Sequence, residues 1–112
     1  MNTRAQVLLW TAQRVSAAVL GLCVLVHLIT MIYAVRHGLS AGEILERTHG
    51  NYAWFGFYAA FVAAIAVHAP IGLRTVLGEW FALRGAVVDL ALLVLGVALA
   101  LWGWRAALAV FA

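Results

Sequence analysis

The sequence predicts an all-α membrane protein with three transmembrane helices. The first observation is composition: of 112 residues, 67% are hydrophobic and 10% are charged. Soluble chains are usually about 45–50% apolar and about 25% charged, so a soluble domain of this size could not bury so much apolar surface. The second observation is that the charges leave three apolar runs long enough to cross a hydrocarbon core of about 30 Å. Residues 1–112 are therefore expected to form a single transmembrane domain.

The first span is expected from about Val15 to Val35, because about 20 helical residues cross the hydrocarbon core. Before it, Met1 to Gln13 is a short amphipathic lead that would place Trp10 at headgroup level. The apolar run is too long for the core of a signal peptide. Cys23, the single cysteine, lies inside the run, so no internal disulfide can form and packing is its expected role.

The second span is expected from about Tyr52 to Leu73, and Pro70 should kink or loosen its last turns. Between the first two spans, Ser40 and Glu43 have the spacing of a capping box, which predicts a short surface helix over SAGEILERTHG. The third span is expected from about Gly85 to Trp104. Three spans place the ends of the chain on opposite sides of the membrane.

Arginine supplies all seven positive side chains, and the net charge of +3 is spread over the ends of the spans. This pattern indicates membrane anchoring rather than nucleic-acid binding. The N-terminal side carries Arg4, Arg14, Arg74 and Arg84, whereas the other side carries Arg36, Arg47 and Arg105. The small excess predicts an N-terminus in the cytoplasm.

Two histidines lie within the predicted spans, His27 in the first and His68 in the second. An ionisable side chain in hydrocarbon is costly, and its default interpretation is a functional site. Three interpretations are open: ligation of iron, a proton path, and an internal hydrogen bond to a backbone carbonyl. His37 and His49 fall in the polar connection, where solvated loop residues are expected.

Counting residues places the two intramembrane rings at different depths. His68 is six residues before Arg74, or about 9 Å from the N-terminal-side interface. His27 is thirteen residues after Arg14, or about 19–20 Å from that interface. The two axial ligands of a haem iron lie on opposite sides of one atom. A difference of about 10 Å predicts that these histidines do not share a haem.

Arg14 and Arg74 lie where they could pair with haem propionates or act as snorkelling anchors at the interface. Asp89, near the start of the third span, is expected either to be hydrated at the interface or to pair with Arg84 or Arg74, and an ion pair is favoured over proton transfer. Glycines that suit close helix packing, or the approach of a flat macrocycle, occur at Gly21, Gly56, Gly72, Gly85 and Gly96.

Two segments resemble the cytochrome b membrane anchors of succinate dehydrogenase and fumarate reductase. QRVSAAVLGLCVLVHL (Gln13 to Leu28) is similar to their opening helix, where an Arg-x-Ser entry is followed by a His-Leu pair in dihaem members. FVAAIAVHAPIGLRTVLGEW (Phe61 to Trp80) is similar to their second helix, where a haem-ligating histidine precedes an arginine near the interface. The chain departs from the family pattern at Gln13, where histidine is common, and at Ala17, where glycine is familiar.

The resemblance implies a non-catalytic electron-transfer subunit of a succinate:quinone oxidoreductase-type complex. His68 matches the haem ligand common to the family, and His27 matches the additional ligand of dihaem forms. One or two haem b groups would be shared with a partner subunit, and quinone would be the substrate. By position, the quinone candidates are Trp10, Gln13, Arg14 and Ser16.

The implied partners are a flavoprotein, an iron–sulfur subunit, and either a second membrane anchor or a second copy of this chain, which would complete the helical bundle. The implied location is the bacterial inner membrane, in contact with lipid. The sequence has no Rossmann glycine motif and no cysteine cluster, so flavin and iron–sulfur centres would belong to other subunits. Two alternatives stay open: a single-haem anchor in which His27 is structural, and a non-redox module for transport or assembly.

Overall fold

The computed structural model describes residues 2–112 and shows an all-helical fold over that range. Three of its helices are long and apolar enough to cross a membrane, which confirms the predicted fold class for the described part of the chain. The helices are α1 (Thr3–Arg36), α2 (Ala41–Thr48), α3 (Tyr52–Trp80) and α4 (Ala86–Phe111).

The N-terminal lead predicted over residues 1–13 is not a separate element, because from Thr3 onward it is the first part of α1. Asn2 begins this helix, and its side-chain oxygen accepts a hydrogen bond from the Ala5 amide at 2.8 Å. No glycine or proline interrupts the chain before Gly21, so the helix continues into the span. Met1 lies outside the described residues.

The second and third spanning helices are also longer than expected. The prediction that α3 ends near Leu73 is wrong, because the helix continues through Pro70 to Trp80. Proline removes a backbone donor, but membrane helices tolerate it where neighbouring elements compensate. Likewise α4 continues past Trp104 to Phe111, since the added residues are mostly alanine and other helix-compatible types.

The helix α3 lies between α1 and α4, and each of these packs mainly against α3 rather than against the other. The α3–α4 interface is close: a Cβ atom added to Gly103 would lie 2.6 Å from Val62 Cγ1. At Gly96 an added Cβ would lie 3.0 Å from Pro70 Cγ, so this glycine leaves room for the proline ring. Small residues therefore set the separation of these two helices.

The short helix α2 covers one end of the bundle. The predicted capping box is present: Ser40 Oγ accepts from the Glu43 amide at 3.2 Å, and Glu43 Oε1 accepts from the Ser40 amide at 3.4 Å. After α2, the Gly50 amide donates to the Phe111 carbonyl at 2.8 Å. This bond ties the turn between α2 and α3 to the last residues of α4.

Large apolar side chains cover the outside of the long helices. Val35, Val87 and Trp102 are examples, with 79%, 82% and 69% of their surfaces exposed. Apolar exposure on this scale requires lipid or another protein subunit as its surroundings. The fold is therefore compatible with an integral membrane protein, as the composition predicted.

Candidate functional site

The two intramembrane histidines lie on the same helix interface. The ring of His27, on α1, meets two aromatic rings of α3 edge-on, with centroid distances of 6.0 Å to Tyr58 and 5.6 Å to Phe61. His68 follows Phe61 by seven residues, which is about two helical turns, so it lies on the same side of α3. Both histidines therefore belong to the α1–α3 interface.

Two contacts define the antiparallel register of α1 and α3. His27 of α1 lies opposite Phe61 of α3. Nearer the N-terminal end of α1, Gln13 lies opposite Gly72 of α3, where a Cβ added to the glycine would lie 3.2 Å from Gln13 Nε2. His68 lies between these levels, about 10 Å along α3 from Phe61. The two histidine rings are therefore at separate depths, which agrees with the difference expected from the sequence.

One nitrogen of each ring lacks a partner. Nδ1 of His27 and Nδ1 of His68 are buried and make no hydrogen bond within residues 2–112. Leaving a buried polar atom unpaired costs about 1–3 kcal/mol. Neither Nδ1 atom makes the internal bond to a backbone carbonyl that was one of the open interpretations. Each imidazole thus keeps hydrogen-bonding capacity that the described chain does not satisfy.

Three of the four quinone candidates line one groove near the N-terminal end of α1. Trp10, Gln13 and Arg14 face Arg74 of α3 across a space of about 470 Å³. The Arg14 guanidinium lies 5.3 Å from the centre of the Trp10 ring, and Gln13 Oε1 is buried without a partner in the described chain. The fourth candidate, Ser16, is buried outside the groove lining, and its hydroxyl donates to the Gln13 carbonyl at 3.1 Å.

An ion pair borders this groove and joins α3 to α4. Arg74 Nε donates to Asp89 Oδ1 at 2.9 Å, so Asp89 pairs with one of the two arginines expected for it. The other, Arg84, donates instead through Nη2 to the Gly78 carbonyl at 2.9 Å, where it satisfies an acceptor near the end of α3. Arg14 and Arg74 both line the groove, so the structure brings these two arginines together at the end of the bundle away from His27.

A larger cavity opens at the opposite end of α1 and was not expected from the sequence. Its volume is about 740 Å³, and it lies between the C-terminal half of α1, the helix α2 and the beginning of α3. His27 and Tyr58 line its inner part, and Arg47 lines it from α2. The signal in the sequence was the helical spacing of Asn51, Trp54 and Tyr58, but the aromatic residues there also fit an interfacial belt.

The structure also shows the exposure of the remaining histidines and of the cysteine. His37 and His49 are exposed outside the spanning apolar stretches, as solvated residues are expected to be. Cys23 is buried and unpaired, in keeping with packing. Within residues 2–112, no three histidine, cysteine, aspartate or glutamate side chains are grouped to hold a metal ion on their own. A haem iron needs fewer protein ligands, because its macrocycle supplies the others.

No family model, curated protein or solved structure matches this chain.

Proposed function

We propose that this chain is a haem b-binding membrane anchor of a succinate dehydrogenase or fumarate reductase-type complex. It would pass electrons between an iron–sulfur subunit and a membrane quinone. The observation that carries the proposal is the pair of histidines, His27 and His68, on one interface of apolar helices, where an ionisable side chain is costly unless it serves a site. Neither Nδ1 is hydrogen-bonded within residues 2–112, so the internal bond of the structural interpretation is not made there.

The two histidines fit two separate haem groups better than one. Their levels differ by about 10 Å along α3, which is too far for both imidazoles to bind one iron. Each would therefore hold one haem, and the remaining protein contact to that haem would come from a second membrane anchor or a second copy of this chain. One-electron transfer is the chemistry that a bound haem b supplies. The imidazoles of this chain would hold and orient that group.

The groove lined by Trp10, Gln13 and Arg14 is the proposed quinone site. A quinone carbonyl accepts hydrogen bonds, and the Arg14 guanidinium is a permanent donor that Trp10 holds at 5.3 Å. His68 is the nearer intramembrane histidine to this groove, since it is six residues before Arg74, or about 9 Å along the helix. An electron path from quinone to the group at His68 is therefore short.

The excess of arginine on the N-terminal side supports an orientation with this groove at the cytoplasmic face of a bacterial inner membrane. A peripheral flavoprotein and an iron–sulfur subunit would then dock on the same side as the quinone groove. The chain would contribute no catalytic residue to dicarboxylate chemistry, and its role would be anchoring and electron transfer.

The test is haem content of the complex purified from its native membrane, measured by the pyridine haemochrome reaction. His68→Ala and His27→Ala should each remove one of two b-type signals in reduced-minus-oxidised spectra. His49→Ala is the matched control, because this exposed histidine should leave both signals intact.

The outcomes separate the alternatives. Loss of haem only in His68→Ala would favour the single-haem anchor, in which the edge-on contacts of His27 with Tyr58 and Phe61 are structural. A complex that contains no haem refutes the proposal and favours a non-redox module.

A further inference from the structure

The cavity between α1, α2 and α3 has the size and lining of a ligand site. Its volume of about 740 Å³ falls within the range of about 300–1,000 Å³ that is usual for cofactor and ligand pockets. Its walls are mostly apolar and include Met31, Ile44 and Trp54. At its inner part lies His27, whose Nδ1 is buried without a partner in the described chain.

Arg47 supplies the positive charge of this cavity. Its guanidinium lies 5.5 Å from the centre of the Tyr33 ring, which also lines the cavity. Within residues 2–112, the ion pair that the structure shows joins Arg74 to Asp89, and Arg47 makes none. Arg47 is exposed and lines the cavity from α2, and an arginine there, without a carboxylate from its own chain, is suited to an anionic group of a ligand.

The relative positions of Arg47 and His27 define the shape of that ligand. Tyr33 follows His27 by six residues, so the ring beside the guanidinium lies about 9 Å further along α1 than the imidazole, toward the C-terminal end of the helix. A ligand that reaches both needs a centre that binds imidazole and a carboxylate at its edge. Haem b has this arrangement, with iron at the centre and two propionates on one side.

We infer that Arg47 is the propionate partner of the haem held by His27, an inference that rests on the proposed function. It changes the assignment of the arginines. Arg14 is thirteen residues from His27, or about 20 Å along α1, so Arg14 and Arg74, which line the proposed quinone groove, are too far to reach the group at His27. The two haem sites then use different arginines from opposite ends of the bundle.

The experiment compares Arg47→Gln with Arg36→Gln in the assembled complex. Arg36, in the last turn of α1, is exposed and lies on the same side of the membrane, so its variant removes an equal charge without touching the cavity. The measurements are the rate of haem transfer to an apo-protein acceptor and the midpoint potential of the haem signal that His27→Ala abolishes.

Arg47→Gln should release that haem about tenfold faster or more, because a charge-assisted hydrogen bond is lost. It should also lower the midpoint potential, because a nearby positive charge favours the reduced haem. Arg47→Lys retains the charge and should preserve the potential while release is intermediate. Arg36→Gln and the signal that depends on His68 should be unchanged. The lysine variant and the unchanged His68 signal separate loss of the ligand contact from a general disturbance of α2, and Arg36→Gln controls for the loss of charge.

Equal behaviour of Arg47→Gln and Arg36→Gln, with the signal still abolished by His27→Ala, overturns the inference and leaves the proposed function standing. A signal that survives His27→Ala also overturns it, in favour of a single-haem anchor. A complex without haem rejects the proposed function itself.

Discussion

The two sides of α3 differ in how they meet their neighbours. Toward α4, the contacts are close and made by small or apolar groups, such as Val62 against Gly103 and Pro70 against Gly96. Toward α1, the contacts are made by polar groups as well, including the rings of His27 and His68 and the amide of Gln13. Three side-chain atoms on the α1 side are buried without hydrogen-bond partners in the described chain.

This difference separates the interface that holds the helices together by close packing from the interface that contains the unpaired polar groups. Lipid tails are as apolar as the helix surfaces, so helix association depends on close packing and hydrogen bonds. The α3–α4 interface provides close packing. The α1–α3 interface instead keeps polar atoms unpaired, at a cost of about 1–3 kcal/mol each. The haem and quinone sites that we propose lie on this side of α3.

The largest effect on stability is expected at the α3–α4 interface. In Gly103→Ala, the new Cβ would lie 2.6 Å from one methyl carbon of Val62 and 2.8 Å from the other, so the Val62 side chain or the helices themselves must shift. Because valine is stiff in a helix, overpacking should cost about 1–3 kcal/mol. Gly21→Ala, on α1, is the control, since nothing lies within 4 Å of an added Cβ.

Unfolding of both variants would be measured in the same detergent or bicelle. The control should be neutral or slightly stabilised, because alanine favours helix over glycine. If Gly103→Ala is as stable as Gly21→Ala, close packing does not distinguish the two sides of α3.

On the α1 side of α3, we expect a substitution that leaves stability unchanged or raises it by an intermediate amount. In Gln13→Leu, the buried Oε1 that has no partner in the described chain is replaced by an apolar group of similar size. Stability should be unchanged or higher by up to about 1–2 kcal/mol, while quinone reduction by the complex falls. Unfolding and quinone reductase assays on one preparation measure both. A loss of stability with normal quinone reduction would assign Gln13 a structural role. The difference between the two sides of α3 would then no longer hold at this residue.

The smallest effect on stability is expected for the ion pair that joins α3 to α4 at the edge of the proposed quinone groove. The side chains of Arg74 and Asp89 are 38% and 52% exposed, so solvent screens their attraction. Asp89→Asn should therefore cost less than about 1 kcal/mol, and the difference should shrink further at high salt. Unfolding at two salt concentrations tests this. A cost of several kcal/mol would mean that charge, and not packing, fastens α4 to α3.

Much of the fold followed from patterns local in the sequence. Long apolar runs predicted the three spanning helices, and the spacing of Ser40 and Glu43 predicted the capped helix α2. The ends of the long helices were predicted less well, because hydropathy marks the width of hydrocarbon and not the end of a helix. Pro70 illustrates this: Gly96 on α4 leaves space for its ring, and α3 continues to Trp80.

The glycines show the same limit. Gly21 and Gly56 were expected to suit close packing, yet nothing lies within 4 Å of a Cβ added to either. Gly103, which was not singled out, has the closest contact among the glycines. The sequence shows that a residue is small, but the partner it meets depends on the rotation of each helix about its axis.

By itself, the sequence determined that the chain is built for a membrane, that His27 and His68 lie at different depths, and that the chain is helical around them. Each of these follows from composition or from rise per residue, which are properties of one segment at a time. Only the tertiary structure decided that both histidines face the α1–α3 interface, and that Arg47 shares a cavity with His27. These depend on the register between helices, which arises from side-chain packing across segments distant in sequence.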